Sequence, residues 1–120
     1  MKARSWKTKI RKAMLEVGTY QPAFDPIVDT LADILAKRDD AQELYKKSGG
    51  VPVVTHTNKA GAKNVEQNPV LRLINDLNRD ALQYWRDLGL TPAGLKKIND
   101  EAMKPITSSP LDQILSNLEI

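Results

Sequence analysis

The chain has no cysteine. That excludes disulfides, thiol nucleophiles and thiolate metal sites, and it is compatible with a reducing compartment. Histidine is nearly absent too, with His56 the single example. One imidazole cannot supply the paired spacing of a metal site, and no carboxylate partner is evident around it in "VTHTNK". An exposed or structurally hydrogen-bonded histidine is therefore expected. Only six of the 120 residues are aromatic, so the core must be aliphatic. No apolar run approaches the roughly 18 residues of a membrane span, and the charged start of the chain has no apolar stretch behind it of the kind a signal peptide needs. "KAGAKN" around Gly61 lacks the partners of a phosphate loop. The adjacent acids Asp39-Asp40 and Asp100-Glu101 point in different directions on a helix and read as solvated faces. With no catalytic constellation, cofactor site or metal site, the expectation is a soluble intracellular protein that is not an enzyme.

Charge is present but unevenly spread. The net charge is only +3. Residues 1–12 nevertheless carry Lys2, Arg4, Lys7, Lys9, Arg11 and Lys12 with no acid before Glu16, whereas the stretch from 13 to 104 holds 12 bases and 13 acids. The excess positive charge sits at the N-terminal end.

Hydrophobic periodicity divides the chain into helical segments. Residues 3–17 place Trp6, Ile10, Ala13 or Met14, and Val17 on one stripe, with bases over most of the remaining surface; this is a basic amphipathic helix, ordered either alone or on contact with a partner. "GTYQPAFDP" breaks the chain. Asp25-Pro26 then signals a helix start, and Phe24, Val28, Leu31 and Leu35 run at four-three-four spacing toward Gly49-Gly50. Residues 51–67 favour extended chain and a turn, as a small hairpin or an ordered loop. The clearest helix follows Asn68-Pro69, with Val70, Ile74, Leu77, Ala81, Tyr84 and Leu88 inward, and Leu71, Leu73, Leu82 and Trp85 broadening the face. "LGLTPAGLKKI" ends that helix at Gly89, turns, and starts another at Thr91-Pro92. Pro105 ends the last of these. In the tail, Leu111, Ile114, Leu115 and Leu118 form an apolar stripe that either folds back on its own domain or docks on a partner.

Two of these elements bear on nucleic acid. A recognition helix presents Arg, Asn, Gln or Lys from its first turns to base edges. Here those turns are Pro92, Ala93, Gly94 and Leu95, so the tight corner is not a DNA reader. The N-terminal bases make the better case: six positive charges beside an aromatic ring neutralise phosphates and release counterions without reading sequence. Lys2, Arg4, Trp6, Lys7, Lys9, Arg11 and Lys12 form the candidate DNA-contacting set, against the plainer reading of a solubilising terminus. Anionic membrane is a weaker target, because the apolar stripe is narrow. Lys59 and Lys63 in the 51–67 segment are secondary phosphate candidates.

"NPVLRLINDLNRDALQYWRDLGLTPAGLKKI", residues 68 to 98, resembles phage terminase small subunits of the compact helical kind found in tailed phages. The Asn-Pro start, the amphipathic helix and the "LGLTP" corner carry the resemblance, and the long preceding helix extends it to roughly residues 20–103. This chain has Lys96 and Lys97 where that kind often carries an arginine shortly after "LTP". The resemblance implies a non-enzymatic packaging factor of the host-cell cytoplasm. Such a factor grips double-stranded viral DNA, assembles into rings, and delivers DNA to the large terminase subunit that carries ATPase and nuclease. The rival readings are a small dimeric DNA-binding regulator, of transcription-factor or antitoxin type, and a protein-bridging adaptor.

The resulting expectation is an all-α fold, a long antiparallel helical hairpin with short flanking helices, assembling as a ring-like homo-oligomer. Residues 1–19 form a basic DNA-contacting arm, residues 20–104 the helical and oligomerisation core, and residues 105–120 a tail helix. Val28, Leu31, Leu35, Ile74, Leu77, Tyr84 and Trp85 are the expected subunit contacts. Leu111, Ile114, Leu115 and Leu118 are the expected docking stripe for the large subunit.

Overall fold

The computed structural model describes residues 1–103. Helix α1 spans Ala3–Val17, and a single 3-10 turn at Pro22–Phe24 leads into α2, Asp25–Lys47. Strands β1 (Val53–Thr57) and β2 (Lys63–Gln67) follow, then α3 (Pro69–Asp87) and α4 (Pro92–Met103).

Long-range partners fix the packing. Arg11 bonds Asp25 while the amino terminus and Trp6 reach Asp39, so α1 runs antiparallel to α2. Arg38 reaches Asn78 midway along α2 and α3, Asn68 at the start of α3 bonds Val51 just past the end of α2, and Thr19 donates to the Leu88 carbonyl at 2.8 Å. The helical hairpin of α2 and α3 is therefore antiparallel, with the end of α3 returning to the junction between α1 and α2.

One aliphatic cluster joins the three long helices. Ile10, Met14, Val28, Leu31, Ala32, Leu35, Ala81 and Leu88 are all buried, with Trp6, Tyr20, Phe24, Tyr84, Trp85 and Leu90 packed around them. Complete burial of a Leu, Ile, Val or Met side chain stabilises by about 1.5–3 kcal/mol each, and five residues here are completely buried. Within the expected N-terminal segment, residues 1–19, Ile10 and Met14 of α1 belong to the same core as α2 and α3.

One expectation of the fold changes. The fold is mostly helical but not all-α, because an antiparallel two-stranded sheet separates α2 from α3. Val53, Val54, Thr55 and Thr57 pair with residues 63–67. The Asn58 side chain closes the connection by accepting from the amides of Ala60 and Ala62 at 3.0 and 2.9 Å. Of the two readings left open for residues 51–67, the hairpin is the one adopted. The expected subunit contacts take the following places within one chain. Val28, Leu31 and Leu35 are completely buried within a single chain, and Ile74 nearly so; Tyr84 and Trp85 pack against that core, and Leu77 is half-buried. The wide apolar faces of α2 and α3 are covered first by each other and by α1. The large apolar side chains left exposed include Leu44, Leu73, Leu82 and Val65.

The "LGLTP" corner is built as its residues imply. The amide of Leu90 returns to the Trp85 carbonyl and that of Gly89 to Arg86, satisfying the last carbonyls of α3. Gly89 sits at φ +74°, where a Cβ would also lie 2.9 Å from side-chain carbons of Ile98 and Thr19. Thr91 caps α4 by accepting the Gly94 amide at 3.0 Å. Asn68 caps α3 in the same way through Val70.

Candidate nucleic-acid interface

Helix α1 offers no acid until Glu16, yet its bases do not share one fate. Lys7 is paired with Asp29, and Arg11 clasps Asp25 through two contacts, Nε to Oδ1 at 3.2 Å and Nη2 to Oδ2 at 2.8 Å. The hydrogen bond from Arg11 is the largest influence on Asp25 and, with a second from Tyr20, holds its carboxyl below the ordinary carboxylate value. Reciprocally, the bond to Asp25 raises the Arg11 pKa. These two cations fasten α1 to α2. Bidentate Arg–carboxylate geometry fixes orientation as well as charge, so neither side chain is free for a phosphate without breaking its existing pair.

Trp6 is also engaged. Its indole N–H donates to Asp39 at 2.7 Å, and its ring packs against the core. Arg38 and Lys9 both lie 5.4 Å from the ring centroid, within cation–π range. Burial pushes the Asp39 carboxyl upward, but the hydrogen bonds from Trp6, the amino terminus and Arg38 outweigh it and leave the pKa lowered. A ring held this way organises α1 and does not project as a stacking platform.

Lys2, Arg4, Lys9 and Lys12 remain. All four are exposed, and none has an ion-pair partner among the described residues. They rise from a helix whose opposite face is locked into the core, so the charges are presented on a rigid support. Lys59 and Lys63 are exposed on the β-hairpin, well away in the chain from α1.

The sequence gives no direct signal for the acids that divide the α1 bases into paired and free. Asp25 reads there as a helix-start residue; it does stand in the first turn of α2, but its carboxylate serves Arg11 and Tyr20. His56 is exposed, as expected, but it is not without a carboxylate neighbour. Strand pairing brings its Nε2 to 3.4 Å from Glu66, with both side chains more than half exposed, so a carboxylate partner exists on the facing strand. Among the described residues no helix is long and apolar enough to cross a membrane. The stripe of Leu111, Ile114, Leu115 and Leu118 lies outside the described residues.

No curated protein and no solved structure matches this chain. A family model does, and it spans every element described above, from the first residue of α1 to just past the end of α4. That model is described as phage terminase, small subunit, and matches residues 3–104; the chain belongs to this family, and its role lies in phage DNA packaging.

Proposed function

We propose that this chain binds double-stranded viral DNA through α1 and delivers it to the large terminase subunit, whose ATPase and nuclease it regulates in the host-cell cytoplasm. The observation that carries the DNA contact is the set of four exposed cations, Lys2, Arg4, Lys9 and Lys12, on one rigidly packed helix. Cations without acidic partners exchange condensed counterions for phosphates, giving affinity that falls with salt and does not depend on sequence. The chain itself contributes no chemistry to this scheme. Catalysis belongs to the large subunit.

Assembly is proposed as a closed homo-oligomer, since a heterologous contact that closes on itself gives a ring. The subunit contacts in this reading use apolar residues that one chain leaves uncovered along the α2–α3 hairpin, Leu44, Leu73 and Leu82. The tail stripe is proposed as the element that engages the large subunit.

The test is direct. Replacing Lys2, Arg4, Lys9 and Lys12 together by alanine should weaken binding to any duplex and flatten the log–log salt dependence by about 0.9 for each phosphate no longer neutralised. Unchanged affinity and slope would remove α1 as the contact. A short palindromic footprint with no effect on packaging ATPase would favour a dimeric regulator instead.

A further inference from the structure

Residues 44–65 carry Lys46, Lys47, Lys59 and Lys63 and no acid; Glu43 is the last carboxylate before them and Glu66 the next. This second basic stretch vanishes in the average over residues 13–104, because acids on either side balance it. Folding gathers it around the end of α2. Lys46 and Lys47 stand in the last turn of that helix, and the β-hairpin leaves from there with Lys59 and Lys63. All four lysines are exposed, and none has an ion-pair partner among the described residues. A helix C-terminus favours cations on its own account. Lys59 and Lys63 serve no helix and carry the argument.

The hairpin is a bare ribbon. In its two strands only Val54 is partly covered, and a two-stranded hairpin open on both faces is marginal in water. The register sorts its side chains by charge. Thr55, Thr57 and Val53 share one face with Lys63, Val65 and Gln67, and that face has no acid. Glu66 lies on the opposite face, beside His56.

We propose that this ribbon enters the major groove of duplex DNA with its acid-free face toward the bases, while Lys59, Lys46 and Lys47 meet phosphates. The major groove is about 12 Å wide and accepts a two-stranded β-ribbon. A five-residue strand is about 17 Å long, more than the groove's depth of about 8.5 Å. Lysine, glutamine and threonine are side chains that read base edges, and apolar methyls pack on the thymine methyl. Insertion therefore also covers Val53 and Val65, which the chain leaves 48% and 68% exposed.

This inference rests on the reading of the chain as a DNA-binding subunit and adds a second contact to α1. The amino terminus bonds Asp39, eight residues before α2 ends at Lys47, or about 12 Å along the helix. Lys2 and Arg4 thus stand at the end of α1 nearer the hairpin. Helix α1 supplies charge alone, whereas the ribbon brings side chains to base edges.

Two measurements on the full chain test it. Lys59→Ala with Lys63→Ala should weaken duplex binding and lower the log–log salt slope by up to about 1.8, for two phosphates no longer neutralised. Helix content and self-association should not change. The second measurement fills the groove without altering charge, by replacing cytosine with glucosylated 5-hydroxymethylcytosine. The parent should bind that duplex several-fold more weakly than the plain one, and the double variant should bind both alike. An unchanged salt slope overturns the hairpin contact, and equal binding of the two duplexes by the parent overturns groove insertion. Lost self-association with DNA binding intact makes the hairpin a protein contact and overturns the proposal as well. The fourfold alanine variant of α1 is measured alongside. If it alone lowers the slope, the hairpin inference falls and the α1 reading stands; if the hairpin variant alone does so, the reverse holds. A parent chain that binds no duplex overturns both.

Discussion

Gly94→Ala separates local preference from tertiary packing. Gly94 lies in the first turn of α4, where alanine is the better helix former by about 1 kcal/mol. Local preference alone therefore calls for a more stable protein. The structure calls for the opposite. A Cβ built at Gly94 falls 2.1 Å from the carbonyl oxygen of Arg86, 2.9 Å from its carbonyl carbon and 3.0 Å from its Cα. Carbon–oxygen contacts of this type settle at about 3.3–3.6 Å, so α4 must retreat from α3 by roughly 1 Å. No side-chain rotation relieves a backbone–backbone clash. Overpacking costs about 1–3 kcal/mol, occasionally more, and the rigid neighbour puts this case toward the upper end. Set against the propensity gain, the net expectation is a loss of about 1–2 kcal/mol, confined to the docking of α4. Amide exchange across residues 95–102 should accelerate by roughly 5- to 30-fold, following that free energy at a factor of ten per 1.4 kcal/mol. Trp85 should become more accessible to acrylamide, because α4 covers part of its surroundings. Exchange in the middle of α2, around Leu31 and Leu35, should stay unchanged. If Gly94→Ala melts higher in urea and protects α4 as well as the parent, the close approach of α4 to α3 is wrong.

Other expectations follow from the same packing. Leu31→Ala removes a completely buried side chain from the cluster joining α1, α2 and α3, and should lower stability by about 2–5 kcal/mol in urea titrations. Asn68→Ala removes both the cap on Val70 and the bond to the Val51 carbonyl, so a loss of about 1–2 kcal/mol is expected, with faster exchange at the hairpin root. Stability should fall on acidification: Asp25 and Asp39 have carboxyls held below the ordinary value. Their contribution is fully present above the unfolded carboxylate pKa near 4, and is lost as pH falls through their lower folded values. Replacing Asp25 by asparagine should flatten that acid limb in pH-dependent melts. Trp6→Phe keeps the ring but removes its N–H to Asp39; a loss of about 1–2 kcal/mol is expected, with DNA affinity nearly unchanged if the indole is structural.

Periodicity and capping residues made much of the architecture legible. The stripe Ile74, Leu77, Ala81, Tyr84 and Leu88 marks a helix because apolar residues recur at its turn spacing, whatever it packs against. Asn68, Thr91 and Pro92 mark boundaries because capping is settled within a few residues. Residues 51–67 stayed open between loop and hairpin for the corresponding reason. Strand pairing joins residues up to 14 apart, such as Val53 with Gln67, and no local signal contains the partner.

The family was recognisable in "NPVLRLINDLNRDALQYWRDLGLTPAGLKKI", and the concentration of bases in residues 1–12 could be counted directly. Which of those bases are free could not. Lys7 and Lys9 look alike in the chain, but one faces Asp29 on α2 and the other faces outward. The same holds for Val28, Leu31 and Leu35, whose spacing shows an apolar face without naming its cover; the covering turned out to be α1 and α3 of the same chain. Gly94 shows in sequence only as a first-turn residue with nothing to read a base, and in the structure as the place where the backbone of α4 comes close to that of α3. Turn geometry and apolar spacing are short-range properties that a chain carries wherever it goes, whereas the partner of a charge, a face or a glycine is another residue tens of positions away, and only tertiary packing brings the two together.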